Sequence, residues 1–196
     1  MATTTLRELN GFDQEPARLA DSTLILIDYQ NTYTRGVMEL EGWKEALDAG
    51  TDLLARARAA GAHVIHVVND GGPGTPYDIR DEIGRIHPAV APREGERTVV
   101  KTRPDAFLDT ELGELLDAAG QRRLVVAGFM THMCVAFTAQ GAFLRGHHAT
   151  VVADACATRA LATPAGEVPA RQLHRAALAT VADLYGVVVA TGSSLG

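Results

Sequence analysis

Three side chains able to support the chemistry of a reactive thiol stand at or just beyond the ends of apolar runs. Asp28 closes the run Thr23-Leu24-Ile25-Leu26-Ile27, and Lys101 closes Thr98-Val99-Val100. Cys134 follows Val125-Val126-Ala127 across the turn Gly128-Phe129-Met130-Thr131-His132-Met133. From Val135 onward, Val135, Thr138, Ala139, Ala142 and Phe143 recur at helical spacing. Cys134 is therefore placed at a helix N-terminus, where unpaired backbone N–H groups and the helix dipole favour an anion. A thiol in that position can have its pKa lowered and be held as thiolate. A carboxylate can take the thiol proton and an ammonium can stabilise the resulting anion. Each residue also has an ordinary reading. Cys134 could be a small buried hydrophobe, Asp28 a cap, and Lys101 a solvated strand end. Their convergence weighs against three accidents, because buried charges seldom lack a partner.

The elements that must position these groups follow from the pattern. Short apolar runs predict strands over residues 23–28, 62–68, 98–101, 122–127, 149–153 and 187–190. Helices are predicted over 43–60, 111–119, 134–145 and 169–184, with Gly61 and Gly120 ending the first two. Residues 29–41, 69–97, 154–158 and 161–169 read as loops, on their turn chemistry or lack of pattern. Strands alternating with helices give a three-layer α-β-α sandwich around a mostly parallel, about six-stranded sheet of Rossmann-like type. In such open sheets ligands bind beyond the carboxyl ends of the strands, which is where Asp28, Lys101 and Cys134 fall. Residues 1–21 are expected to form an arm, with Leu6, Leu9 and Phe12 anchoring it to the body or to a neighbouring subunit. Residues 22–192 form the single domain.

Composition narrows the function classes. A formal charge of -6 without a basic tract argues against nucleic acid or an anionic membrane as partner. No apolar run approaches the ~18 residues of a membrane span. The N-terminal stretch lacks the apolar core of a signal peptide. Two cysteines make no disulfide framework, so a cytoplasmic protein with reduced thiols is expected. The glycines of Asn69-Asp70-Gly71-Gly72-Pro73-Gly74 match neither a P-loop nor a dinucleotide fingerprint.

Four segments in order carry a family resemblance. They are Ile25-Leu26-Ile27-Asp28-Tyr29-Gln30, Val100-Lys101-Thr102-Arg103 with Ala106-Phe107, Gly128-Phe129-Met130-Thr131-His132-Met133-Cys134-Val135, and Val152-Ala153-Asp154-Ala155-Cys156-Ala157-Thr158. Together they resemble the isochorismatase-like cysteine hydrolases, the superfamily of nicotinamidases and N-carbamoylsarcosine amidases. The resemblance implies the isochorismatase-like hydrolase fold and a catalytic triad of Asp28, Lys101 and Cys134. It implies that Asp28 serves as base and then acid, that Lys101 holds charge beside the thiolate, and that Cys134 carries the acyl group as a thioester. It also implies a cis peptide between Phe129 and Met130, and oxyanion donors at the N–H groups of Met130 and Cys134. A homo-oligomer, dimer or tetramer, acting on a small-molecule substrate is expected.

The chain departs from the metal-binding members. The segment after the second strand lacks their histidines, so no metal and no cofactor are expected, and nicotinamide is not the expected substrate. His66 and His87 are isolated, fitting packing or surface roles. With Cys134 present, hydrolysis of a C–N bond (amide, ureido or related) is favoured. The alternatives are vinyl-ether hydrolysis of the isochorismatase type, using Asp28 as acid, and a catalytically silent ligand-binding member. Gln30, Tyr33, Phe107 and His132 neighbour the triad in sequence and are candidates for the substrate pocket, Tyr33 and Phe107 serving equally well as core. His147 and His148 read as surface residues, Cys156 as a structural thiol, and His174 as packed or interfacial. Trp43 is placed at the pocket mouth or a subunit contact.

Overall fold

The structure, a computed structural model, describes residues 3–196. Its central sheet contains β1 (Thr23–Ile27), β2 (His63–Asn69), β3 (Arg97–Lys101), β4 (Arg123–Phe129), β5 (His148–Ala157) and β8 (Gly186–Val189); β6 (Leu161–Thr163) and β7 (Gly166–Val168) pair separately. The helices are α1 (Leu6–Leu9), α2 (Trp43–Ala59), α3 (Leu112–Ala119), α4 (Ala136–Leu144) and α5 (Ala170–Thr180). The six main strands are all parallel, in the order β3-β2-β1-β4-β5-β8. The chain runs outward one way from β1 through β2 to β3 and then returns to place β4 on the other side of β1. The order therefore reverses between β1 and β4, the kind of crevice in which doubly wound folds bind ligands.

Alternation along the strands explains the two cores. Leu24, Leu26, Val125 and Ala127 point to one face and pack with Leu47, Leu53, Leu54 and Ala57 of α2. Ile25, Ile27, Leu124 and Val126 point to the other, against Leu112 and Leu116 of α3 and Ala139 and Ala142 of α4. Strands covered on both faces have to be apolar throughout, and all five residues of β1 are buried. The expected sandwich and six-stranded sheet are both present.

The N-terminal arm lies on its own body. The Leu6 backbone N–H donates to Asp183 at 3.0 Å, and buried Arg7 donates to the Leu184 carbonyl at 3.1 Å. The Phe12 ring meets Phe143 edge-on at 5.5 Å, and Ala17 N–H donates to Thr150 at 2.9 Å.

Three segments differ from the sequence expectation. β5 continues to Ala157, through residues expected to be a loop. Its pairing with β4 shifts between Val126 and Gly128, after which Cys156 and Ala157 pair with Gly128 and Phe129. An irregularity of this kind absorbs an extra residue and lets a strand run past what reads as its end. The expected loop 161–169 holds a short antiparallel hairpin, β6–β7, turning at Pro164-Ala165. Finally, α4 does not begin at Cys134. A single π turn, Thr131–Val135, precedes it, closed by the Val135 N–H donating to the Met130 carbonyl at 3.3 Å. Such turns inside helices recur at functional sites.

Candidate active site

Asp28, Lys101 and Cys134 meet at the carboxyl edge of the sheet. Asp28 follows β1 and Cys134 follows β4, so they flank the point where strand order reverses; Lys101 is the last residue of β3. The close approach of β1 and β4 here depends on Gly128. A Cβ at that position would collide with the Ile27 backbone, and its φ of 138° is one that other residues rarely adopt. Asp28 itself has a φ of 51°, uncommon for a residue with a side chain. The peptide bond between Phe129 and Met130 is cis.

The Lys101 ammonium organises the group. Its Nζ lies 2.7 Å from Asp28 Oδ2, donates to Cys134 Sγ at 3.2 Å, and reaches Asn69 Oδ1 at 3.4 Å. Asp28 is 0 % exposed, Lys101 1 % and Cys134 8 %. Neither Asp28 oxygen accepts a well-directed hydrogen bond. A buried carboxylate whose close partner is an ammonium placed off the hydrogen-bonding direction keeps its lone pairs free for a proton.

Burial and mutual charge set the protonation states. Desolvation raises the Asp28 pKa against the pull of Lys101. Lys101 is held charged, above the usual lysine value, because Asp28 and Cys134 outweigh its own desolvation. Burial, reinforced by the Asp28 charge, pushes the Cys134 thiol up to about 12 in spite of Lys101. This reverses the lowered thiol pKa expected from a helix N-terminus: the buried site and the neighbouring carboxylate outweigh that effect. Lys101 is thus held as the ammonium and Cys134 as the thiol, beside an Asp28 carboxyl whose affinity for a proton is raised.

Of the four pocket candidates, two lie beside this group. Tyr33 is buried, with its ring edge-on to Phe129 at 5.7 Å and to Tyr77 at 5.8 Å. Desolvation first, and then the nearby Asp28, raise its phenol pKa. His132 is half-buried in the turn that carries Cys134, its Nδ1 2.5 Å from Thr158 Oγ1. The other two have different roles. The Gln30 amide donates to the Asn69 and Gly84 carbonyls at 2.9 and 2.6 Å and accepts from Asn69 N–H at 3.0 Å. Its hydrogen bonds are committed to the backbone, so it clamps the end of β2 to the neighbouring loop instead of offering groups to a ligand. Phe107 stacks on His147 at 5.9 Å and lies under the Arg145 guanidinium at 4.8 Å. Those residues follow the far end of α4, a helix length from Cys134. Phe107 is core, and His147, expected at the surface, is buried with it.

Asn69, Tyr77, Arg159 and His174 belong to the site's surroundings and are not singled out for it by the sequence. Asn69 pairs in register with Lys101. The Tyr77 phenol is raised by desolvation and by the nearby charges of Cys134 and Asp28. His174 Nδ1 lies 2.9 Å from Thr131 Oγ1, bracing the π turn from α5. A strand-end polar residue is a readable signal for Asn69; the other three come from loops or a distant helix. After β2, Asp70 and Asp78 are both taken up by Arg80, at 3.0 and 2.5 Å. His66 is buried, 2.9 Å from Glu96, itself paired with Arg58 at 2.7 Å. His87 accepts from the Ala89 N–H, and its ring neighbours half-buried Trp43 at 6.4 Å. Among the described residues no helix is long and apolar enough to cross a membrane.

Comparison with known proteins adds to this geometry. The family model for the isochorismatase domain matches residues 22–193. The crystal structure of an isochorismatase from Pseudomonas putida superimposes with a TM-score of 0.96 and 39 % identity, over 100 % of both chains. A secreted isochorismatase effector of Verticillium dahliae is 33 % identical, covering 95 % of this chain and 97 % of its own length. A streptothricin hydrolase of Streptomyces noursei is 39 % identical over 84 % of this chain and 67 % of its own length. A ureidoacrylate amidohydrolase of Methylobacterium radiotolerans is 29 % identical over 89 % of this chain and 79 % of its own length.

Proposed function

The chain belongs to the isochorismatase family of hydrolases, and on that premise we propose that it hydrolyses a C–N bond of a small amide or ureido substrate through a Cys134 thioester. The observation that carries this reading is the single ammonium, Lys101, set 2.7 Å from Asp28 and 3.2 Å from Cys134 at the reversal of strand order. A relative named as an amidohydrolase supports it.

In the proposed cycle, Asp28 takes the thiol proton as the Cys134 sulfur attacks the substrate carbonyl carbon. The Asp28 carboxyl becomes neutral, which its buried setting favours, and Lys101 stays charged beside the sulfur. The developing oxyanion is held by the N–H groups of Met130 and Cys134; one such donor contributes about 3–4 kcal/mol to the barrier. Asp28 then returns its proton to the leaving nitrogen and the C–N bond breaks. A water, losing its proton to Asp28, attacks the thioester and releases the acid, and the proton passes back to the thiol. A high resting thiol pKa suits this cycle, because the nucleophile forms only when Asp28 accepts its proton. No step requires a metal.

The test is a panel of small amides and ureido compounds, with ammonia or amine release as readout, alongside a chorismate-type vinyl ether. Turnover of the C–N panel, lost in Cys134→Ala with the circular-dichroism spectrum retained, is the expected result. Vinyl-ether cleavage that persists in Cys134→Ala would replace this reading with acid catalysis by Asp28. Tight binding without turnover would mark a silent ligand-binding protein.

A further inference from the structure

Thr131 stands between the two N–H groups assigned to the oxyanion. It follows Met130 directly and opens the π turn that carries Cys134. Inside, the turn is closed at the Met130 carbonyl, which accepts from Met133 N–H at 3.0 Å and from Val135 N–H at 3.3 Å. Outside, it is tied by two side chains. His132 Nδ1 lies 2.5 Å from Thr158 Oγ1 beyond the end of β5, and Thr131 Oγ1 lies 2.9 Å from His174 Nδ1 on α5. Thr131 is 1 % exposed, and among the described residues His174 is the only hydrogen-bond partner of its side chain. A buried hydroxyl that loses its partner is costly, so this turn cannot give up His174 without rearranging.

The His174 ring has no competing engagement. It is half-buried at the wall of a cleft of about 350 Å³ shared with Glu41, Glu45, Asp154 and Arg171. None of these bonds to it, and no ion pair holds it among the described residues. Desolvation lowers its pKa with no neighbouring charge opposing, which keeps the ring neutral at pH 7. Oxyanion donors act only at hydrogen-bond distance from the developing charge, and a displacement of about 1 Å can cost about 10²-fold in rate. We infer that His174 is a positioning residue for the oxyanion site: through Thr131 it fixes the turn so that the N–H groups of Met130 and Cys134 converge on the substrate oxygen. This inference rests on the Cys134 thioester reading. The ionisation of the thiol belongs to Asp28 and Lys101, so His174 governs how the oxygen is held and not how the nucleophile is made.

Two probes of Cys134 separate those roles. Acetaldehyde adds reversibly: the sulfur bonds to the carbonyl carbon, the C=O π bond opens, and the thiol proton ends on the new oxygen, which then occupies the oxyanion position. Iodoacetamide reacts by displacement at its CH₂: an S–C bond forms, iodide leaves, and the thiol proton passes to Asp28, with no tetrahedral oxygen formed. Acetaldehyde affinity is read from the carbon-13 signal of the adduct, and alkylation by peptide mass spectrometry. His174→Phe keeps the ring volume without a polar atom, Thr131→Val removes the same bond from the other side, and His174→Asn restores a polar group near the Nδ1 position. Acetaldehyde affinity should fall about tenfold or more in His174→Phe and in Thr131→Val, short of the about 10²–10³ lost with a whole donor. It should return toward wild type in His174→Asn, while iodoacetamide labels Cys134 at the wild-type rate in all three. For an amide that the wild type hydrolyses, His174→Phe should lower kcat and leave KM nearly unchanged. Unchanged acetaldehyde affinity in His174→Phe and Thr131→Val, an equal loss with both probes, or no recovery in His174→Asn overturns the inference while leaving the Cys134 reading intact. A wild type that reacts with neither probe at Cys134 overturns both.

Discussion

Replacing Lys101 with Met keeps the stem that packs between β2 and the site and removes the charge. Asp28 is then left at 0 % exposure with no cation beside it. Breaking a buried ion pair from one side typically costs about 3–5 kcal/mol, because the remaining charge is uncompensated. For a chain of this length each kcal/mol lowers the melting temperature by about 2–4 °C, so a fall of about 6–20 °C is expected. The loss must depend on pH. Burial already raises the Asp28 pKa, and Lys101 is what opposes that rise. Without Lys101 the folded-state pKa climbs further above the unfolded value of ~3.9. A carboxyl with a raised folded pKa contributes stability that is full below its unfolded pKa and is lost as pH rises through the folded pKa. The deficit of Lys101→Met relative to wild type should therefore be small near pH 4 and grow toward pH 8. Urea unfolding across that range measures it. Asp28→Asn/Lys101→Met, which removes both charges, should recover most of the deficit at pH 8. A deficit that does not change with pH, or a double variant no more stable than Lys101→Met, would refute the reasoning.

Four further outcomes follow from the structure. Asp28→Asn should lower hydrolysis by about 10²–10⁴-fold, the usual contribution of a positioned acid–base. In the wild type the acidic limb of the rate profile should lie above the ordinary carboxylate range, because Asp28 is raised and must be ionised to accept the thiol proton. Gly128→Ala, which drives a Cβ into the Ile27 backbone at an unfavourable φ, should destabilise by about 3 kcal/mol or more, read from urea midpoints. The hydrogen bonds of Arg58, chiefly, with those of Arg93 N–H and His66, hold Glu96 down to about 2. A depressed carboxylate contributes stability above its unfolded pKa that is lost as pH falls through the folded one. Glu96→Gln should thus be less stable than wild type at neutral pH, with the gap closing between about pH 4.5 and 2 in acid unfolding curves.

The fold is legible in the sequence where burial dictates residue type. Apolar runs such as Leu24–Ile27 and Val125–Ala127 have to be strands covered on both faces, and a charge closing such a run marks its carboxyl end. That is why the residue pattern alone puts Asp28 and Lys101 at one edge of the sheet. The helical spacing that starts at Val135 puts Cys134 beside them. Local chemistry misleads where tertiary pairing prevails. Asp154 reads as a strand stop, but a register shift carries β5 on to Ala157. Pro164 and Gly166 read as loop residues, yet Pro164 lies in the tight turn of a hairpin and Gly166 begins its second strand. Phe107 is near Lys101 in sequence, but its ring runs to the opposite end of α4, where it stacks on His147. The thiol pKa is misread because a helix N-terminus is visible in sequence, whereas burial and the proximity of Asp28 are not. Tyr77 and Arg159 come from stretches without periodicity, so only the folded chain brings them to the site.

The central claim is that Asp28 generates the Cys134 nucleophile by taking its proton. The most direct measurement is the pH dependence of Cys134 alkylation by iodoacetamide in wild type and Asp28→Asn. Cys156, a buried thiol also raised to about 12, serves as internal control. Proton transfer within the site leaves the proton count unchanged, so the wild-type rate should be nearly flat from pH 7 to 9. In Asp28→Asn it should fall by about a hundredfold or more, within the range for a lost general base, and then rise with pH. A wild-type rate that climbs tenfold per pH unit across that range, and is matched by Asp28→Asn, would show a simple buried thiol and contradict the account.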